Sequence, residues 1–261
     1  FIAASAIDLE LQVIPLAICR LITGAGLIGS ALAVKVYPFE NIRMYDLFPS
    51  ASAKAGILAA GAFLGLLTSL LLLFTGIIKT SYAQQSSEPA SGDFENSNEQ
   101  IYEHRLEMMK ELLFLAPIII TAFIAYKLYE NMPSFQNWWI DFSQVPAIAG
   151  LLGSLWGYFI GCAIVWATRI FGTFAFGKEA MGLGDVHLMG AAGAIIGPWP
   201  VVVAFFIAPF FGLLWAIICM FFKKMRQIPY GPFLSIGIFV VMILHDAVMN
   251  WLQFVFFINQ R

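Results

Sequence analysis

The sequence predicts an all-α protein, a polytopic transmembrane helix bundle with about seven spans plus a truncated first helix. Hydrophobic residues make up 60% of the 261 residues and charged residues only 11%, far from the balance of an ordinary globular domain. Several apolar segments are also long enough to cross about 30 Å of hydrocarbon at about 1.5 Å per helical residue. The predicted spans lie at about 16–36, 54–78, 111–128, 146–171, 186–197, 200–222 and 232–256.

The amino-terminal half begins with residues 1–7, which we expect to be the last turns of a truncated helix ending at Asp8. The first span follows Pro15, and prolines and charges in 37–53 indicate a loop before the second span. Residues 79–110 contain little that could be buried, so we predict a partly disordered polar loop. Its last residues have apolar side chains at helical spacing and lead into the third span.

The carboxyl-terminal half contains a loop at 129–145, in which Trp138 and Trp139 are typical of a membrane interface. The fifth apolar segment is short and rich in glycine and alanine, which predicts tight packing against its neighbours. The basic run 223–226 closes the sixth span. Because no internal repeat or soluble second domain is visible, we predict a single membrane-embedded domain over residues 1–261, with 79–110 lying in an inserted region.

The distribution of basic residues predicts the orientation of the bundle. Loops on the Asp8 side carry most of the Lys and Arg residues outside the spans, whereas Arg43 alone lies clearly in an opposite loop. By the positive-inside rule, the Asp8 side is cytoplasmic. Because an even number of spans separates Asp8 from Asp185, both acids are expected at this face, together with the 79–110 loop.

Composition also excludes several classes of partner. The net charge of −2 and the lack of a basic patch argue against nucleic acid. Cys19, Cys162 and Cys219 lie in apolar stretches without a CxxC pairing, which argues against a disulfide framework and a thiolate zinc site. We therefore expect neither a metal nor a cofactor.

The most informative stretch runs from Gly177 to Asp185, with the sequence Gly-Lys-Glu-Ala-Met-Gly-Leu-Gly-Asp. An ionisable residue at the mouth of an apolar helix indicates a functional site. Gly182 and Gly184 would let another chain lie directly against the backbone. If Asp8 meets Asp185 there, the two carboxylates share a proton and can act as acid and base.

Three ordered blocks carry a resemblance to a known family. Asp8 is followed seven residues later by Pro15, the Gly177–Asp185 run comes next, and Ile-Pro-Tyr-Gly-Pro-Phe-Leu occupies 228–234. Together they resemble the type IV prepilin peptidases, membrane aspartic proteases of the GxGD type. A lone GxGD is a weak signal, because four residues recur by chance, but three ordered blocks are a strong one.

The resemblance implies removal of the basic leader peptide from type IV prepilins or type II secretion pseudopilins, after a glycine. The reaction would occur at the cytoplasmic face of the bacterial inner membrane. Asp8 and Asp185 match the family's catalytic pair, and Pro229, Gly231 and Pro232 would line the same mouth in a supporting role. The implied partners are these peptides and membrane lipid, and the oligomeric state stays open.

The sequence also departs from the family's pattern. An inserted region with two extra spans, 54–128, separates the two acid blocks. Glu10 occupies a place often filled by a second acid and is expected to modulate Asp8. Lys178 lies either in a solvated turn or where it guides substrate carboxylates or lipid headgroups. The cysteine-paired cytoplasmic domain found in many members is not visible, so we expect peptidase but no methyltransferase activity from this segment.

Other interpretations stay open on sequence alone. Asp185 is also compatible with a plain helix N-cap, and Asp8 with a solvated loop acid. The chief alternative function is a proton-coupled transporter, or a non-catalytic membrane protein of pilus or secretion assembly, in which Asp8, Asp185 and Asp246 carry protons. A close approach of Asp8 to Asp185 would favour the peptidase.

Overall fold

The computed structural model describes residues 4–5, 7–8, 14–36, 49–76, 97–177, 180–221 and 230–257. Over these residues the secondary structure is entirely helical, which confirms the predicted fold class. The helices are α1 (Leu16–Val36), α2 (Ala53–Phe74), α3 (Ser97–Asn131), α4 (Pro133–Ser143), α5 (Pro146–Phe176), α6 (Leu183–Ile196), α7 (Pro198–Phe221), α8 (Gly231–Ile243) and α9 (His245–Phe257).

Each of the seven predicted apolar segments contains a helix, as expected for a multi-pass membrane protein. Four helices are long and apolar enough to cross a membrane, namely α2, the Met108–Asn131 part of α3, α5 and α7. The bent pair α8 and α9 makes a fifth if it counts as one span, whereas α1 and α6 contain shorter apolar stretches. The predicted number of about seven spans is therefore approximate.

Several predicted boundaries need correction. The last segment is not one straight helix, because its two halves are bent by 84° around Leu244. The predicted loop at 129–145 contains helix α4, in which Trp138 stacks on Phe142 and Trp139 donates a hydrogen bond to the Ala53 carbonyl at 2.9 Å. Phe135, Trp138, Trp139 and Phe142 recur at helical spacing, a pattern that the sequence analysis used only as a sign of a membrane interface. The helical spacing predicted at the end of the 79–110 region is confirmed, and α3 begins somewhat earlier than predicted, at Ser97.

The chain divides into two compact units. The first consists of Phe1–Ser52, Ser143–Val165 and Leu183–Arg261, and the second of Ala53–Phe142 and Trp166–Gly182. The second unit thus contains the region that the sequence analysis regards as inserted. The single domain over residues 1–261 stays a prediction.

The first unit is built around α6, which contacts α1, α7 and α8. Its central side chains, among them Leu188, Met189 and Ala192, are at most 1% exposed. The backbone of α5 also touches that of α6, because a Cβ atom at Gly157 would collide with the Gly193 carbonyl. Small residues thus allow a close approach that larger side chains would prevent.

Two glycines end the helices that flank the motif segment. Gly177 follows α5 with φ at 65°, and Gly197 follows α6 with φ at 88°, a region that side chains with a Cβ rarely adopt. Their amides donate to carbonyls four residues earlier, Gly177 to Thr173 and Gly197 to Gly193, each at 2.9 Å. Both helices therefore have the glycine termination that left-handed geometry requires.

The second unit is held together by the pairing of α2 with α3. Thr121 Oγ1 lies 2.8 Å from the Gly61 carbonyl, and Ser69 donates to the Phe114 carbonyl at 2.8 Å. Gly65 also lies against Thr121, with no room for a Cβ between them. Ser69 thus satisfies a carbonyl across the helix interface, while Thr121 Oγ1 also lies 2.7 Å from the Pro117 carbonyl of its own helix.

The backbone contact between α5 and α6 makes a testable prediction about stability. Gly157→Ala inserts a methyl group against the Gly193 carbonyl, so we expect it to lower the free energy of unfolding by about 1–3 kcal/mol. Gly29→Ala in α1 is the control, because no atom lies within 4 Å of its Cβ position. Thermal unfolding in detergent measures both, and equal midpoints would contradict the proposed tight contact.

Candidate active site

Asp8 is a buried acid, exposed to only 6%. The backbone N–H of Gly231 donates a hydrogen bond to its carboxylate. Burial raises the pKa of Asp8 above its ordinary value of 3.8, and the bond from Gly231 partly opposes that rise. This environment excludes the interpretation of Asp8 as a solvated loop acid.

Asp185 lies inside the first turn of α6 and is 8% exposed. The helix begins at Leu183, earlier than the predicted start at about 186, so Asp185 is part of the helix rather than a residue preceding it. A negative charge in the first turn is favoured by the aligned peptide dipoles.

The third sequence block reaches both acids through consecutive residues. Gly231 lies so close to Asp8 that a Cβ atom there would collide with Oδ2. Tyr230 precedes it, and burial together with the charge of Asp185 raises the pKa of Tyr230 to about 12. The start of α8 is thus in hydrogen-bond contact with Asp8 and within electrostatic reach of Asp185.

Ile14 lies beside both Gly184 and Gly231. Its Cβ lies 2.9 Å from the Cβ position of Gly184, and its Cδ1 lies 3.1 Å from that of Gly231. Ile14 itself is 7% exposed. The three motif blocks therefore meet around one side chain, and the space left by Gly184 is filled by Ile14.

The predicted site residues have different outcomes. The structure brings Asp8, Gly184, Asp185 and Gly231 into the first unit, with Pro232 buried in the first turn of α8. Gly182 is exposed and directly precedes α6. Glu10, Lys178 and Pro229 lie outside the described residues.

Sequence reasoning assigned no role to Ile14, and it included Tyr230 only as part of the block expected to line the mouth in a supporting role. Their signals were an apolar residue beside Pro15 and an aromatic residue among prolines and glycine. Neither signal specifies a contact with an acid that is distant in sequence, so the missing information is tertiary.

The acidic side chains of the candidate site suit proton transfer rather than metal binding. In the described part of the chain, no group of three or more His, Cys, Asp or Glu side chains is placed to hold a metal ion. Asp8 and Asp185 are both buried, and one carries a raised pKa. Two acids in such surroundings can divide the roles of proton donor and proton acceptor.

Comparison with known proteins agrees with the sequence blocks. The model of the type IV leader peptidase family matches residues 112–217, a range that includes Asp185 but not Asp8. No solved structure gives a significant match.

Curated relatives match over part of their length. A prepilin leader peptidase/N-methyltransferase of Aeromonas salmonicida (strain A449) is 27% identical over 110 residues, 41% of this chain and 36% of the relative. The proteins of the same name from Neisseria gonorrhoeae and Xanthomonas campestris are 30% and 33% identical, over 43% and 50% of this chain and 38% and 48% of the relative. The chain thus matches less than half the length of these relatives. The resemblance drawn from the three blocks is confirmed over residues 112–217, which the model of the type IV leader peptidase family matches.

Proposed function

We propose that this protein is an aspartic endopeptidase that removes the basic leader peptide from type IV prepilins or pseudopilins. The observation that carries the proposal is the start of α8. There the Gly231 N–H donates a hydrogen bond to Asp8, and the charge of Asp185 contributes to the raised pKa of Tyr230. The family match over residues 112–217, which includes Asp185, supports the same function.

The environments of the two acids support a division of roles. We assign the role of proton donor to Asp8, because burial raises its pKa. We assign the role of proton acceptor to Asp185, in the first turn of α6, where the aligned peptide dipoles favour a negative charge. Asp185 takes a proton from water as the water oxygen bonds to the peptide carbonyl carbon, and Asp8 donates its proton to the carbonyl oxygen. The C–N bond then breaks as Asp185 gives its newly gained proton to the leaving amine. A hydroxyl of the gem-diol intermediate returns a proton to Asp8 as the carboxylic acid product forms, so the acid pair returns to its starting state.

The substrate and the location follow from the family and from membrane physics. A basic leader is attracted to anionic lipid at the cytoplasmic face of the bacterial inner membrane. A helical substrate has to unwind at the cleavage point, because an intact helix hides its carbonyls, and cleavage after glycine fits this need. Exposed Gly182 leaves backbone for an extended peptide, and Glu10, Lys178 and Pro229 are proposed as supporting residues.

The first test removes each proposed catalytic acid. Asp8→Asn and Asp185→Asn should each abolish cleavage of a prepilin peptide, because an amide can neither hold the shared proton nor accept one from water. The measurement is product formation in reconstituted vesicles, with the new amino terminus sequenced.

Asp246→Asn is the matched control, since Asp246 is exposed on α9 and belongs to the alternative set of proton carriers. It should cleave at the unsubstituted rate. Normal cleavage by either Asp8→Asn or Asp185→Asn would refute the acid pair.

A second test disturbs the position of Asp8 without removing it. Gly231→Ala places a methyl group against Asp8 Oδ2 and 3.1 Å from Ile14 Cδ1, so the carboxylate has to move. We expect kcat/KM to fall about tenfold to hundredfold. Gly24→Ala is the control, since nothing lies within 4 Å of its Cβ position, and a similar loss in both variants would contradict this account.

A third test concerns pH. Since the pKa of Asp8 is raised, the acid keeps its proton at pH values where an ordinary aspartate has lost it. Cleavage needs that proton, so kcat/KM should stay high until the pH passes the raised pKa and then fall about tenfold per pH unit. A pH profile measures this, and a fall that already begins at the ordinary value of 3.8 would contradict the role of Asp8.

A further inference from the structure

The second unit contains a buried ion pair between α5 and α3. Arg169 and Glu111 side chains are 2% and 8% exposed, and Arg169 Nη2 lies 2.8 Å from Glu111 Oε1. Arg169 Nε is 3.1 Å from both carboxylate oxygens, so the contact is a fork against a carboxylate. Trp166 Nε1 also donates to Glu111, at 3.3 Å. This is the arrangement that makes charge-assisted hydrogen bonds strong and directional.

The same guanidinium group holds the backbone just before the GxGD motif. Arg169 Nη1 donates to the carbonyl oxygen of Met181, a residue that is itself 9% exposed. One turn further along α5, Thr173 Oγ1 accepts a bond from the Ala180 amide at 3.3 Å. The segment that returns from α5 towards α6 is therefore tied to α5 at two successive residues.

A buried ion pair costs desolvation free energy, so its presence here indicates a role beyond helix packing. Both residues lie in helices that are candidate membrane spans. Removing a guanidinium and a carboxylate from water costs several kcal/mol each, and apolar residues of similar size are often equally stabilising. Helix packing alone therefore does not require Arg169 and Glu111. The carbonyl of Met181, in contrast, needs a donor that reaches it from a buried side chain.

We infer that Arg169 is a positioning residue for the proposed active site: it fixes the Met181 carbonyl, and Glu111 fixes the direction of its guanidinium fork. Met181 precedes Asp185 by four residues, so its place determines how the chain enters α6. Because Arg169 is almost fully buried, it does not serve as a binding group for substrate or lipid. This inference rests on the proposed function, since Asp185 is its target.

The key experiment distinguishes a role of Arg169 in fixing the Met181 segment from a role in helix packing. Arg169→Met combined with Glu111→Leu replaces the ion pair by apolar side chains of similar length, so thermal stability in detergent should stay within a few degrees of the unsubstituted protein. The Met181 carbonyl nevertheless loses its donor. We expect kcat to fall about tenfold to hundredfold with KM changed less than about threefold, because a misplaced catalytic group loses rate rather than binding.

Hydrogen exchange gives a second measurement that does not depend on cleavage. In the double variant, amides in 180–186 should exchange about tenfold faster, while those of α8 keep their rates. Arg169→Lys should lose part of kcat, since an ammonium group cannot fill the fork and the Met181 contact together.

The control is the other ion pair of α3. Lys127 and Glu130 lie 2.8 Å apart with side chains 50% and 39% exposed, so Lys127→Met with Glu130→Leu should change neither kcat nor exchange in 180–186. Unchanged exchange and unchanged kcat in the Arg169 double variant would overturn the inference. If exchange rises but Asp8→Asn and Asp185→Asn still cleave normally, the positioning stands and the proposed function fails.

Discussion

The backbone contact of α6 with its neighbours is the constraint on which the first unit depends. Gly157 against Gly193 leaves no room for a single methyl group, and a Cβ atom at Gly26 would lie 2.9 Å from the Ala194 carbonyl. Ser154 adds a hydrogen bond to that same carbonyl at 2.5 Å. In an apolar environment, where the hydrophobic effect gives little drive for helix association, such contacts and hydrogen bonds hold helices together. As α6 carries Asp185 in its first turn, the packing of small residues also determines where this acid lies.

In the candidate site, close packing also brings polar groups into contact. Asp8 is buried, yet a backbone amide satisfies its carboxylate, and this is possible because Gly231 has no side chain to hold the two apart. Ile14 fills the gap beside Gly184 and also lies beside Gly231. Both acids are buried, but Asp8 accepts a hydrogen bond from the Gly231 amide, whereas Asp185 lies in the first turn of a helix. Different surroundings are what allow one carboxyl group to stay protonated while its partner is ionised.

Sequence reasoning predicted the fold class and the seven apolar helical segments, because composition and segment length report directly on burial in lipid. It was less successful where tertiary contacts decide. No proline or glycine marks the 84° bend around Leu244, and the helical spacing of the aromatic residues in α4 was used only as a sign of a membrane interface. The motif blocks predicted that Asp8 and Asp185 approach one another, but the contacts of Tyr230 and Ile14 depend on chain folding. The catalytic roles of the acids stay a prediction.

The inserted region shows how a long insertion can be accommodated between two motif blocks. Helices α2 and α3 satisfy each other through Thr121, Ser69 and the glycines of α2, so the second unit provides most of its own packing. Its one deeply buried carboxylate among the described side chains, Glu111, is directed to an arginine of α5 and not to another residue of the α2–α3 pair. An insertion that merely filled membrane space would have no use for a buried charge, since lipid-facing and helix-facing positions are both satisfied by apolar groups. Glu111 orients the Arg169 guanidinium, which donates to the Met181 carbonyl. The inserted region is thereby connected to the chain segment that precedes Asp185.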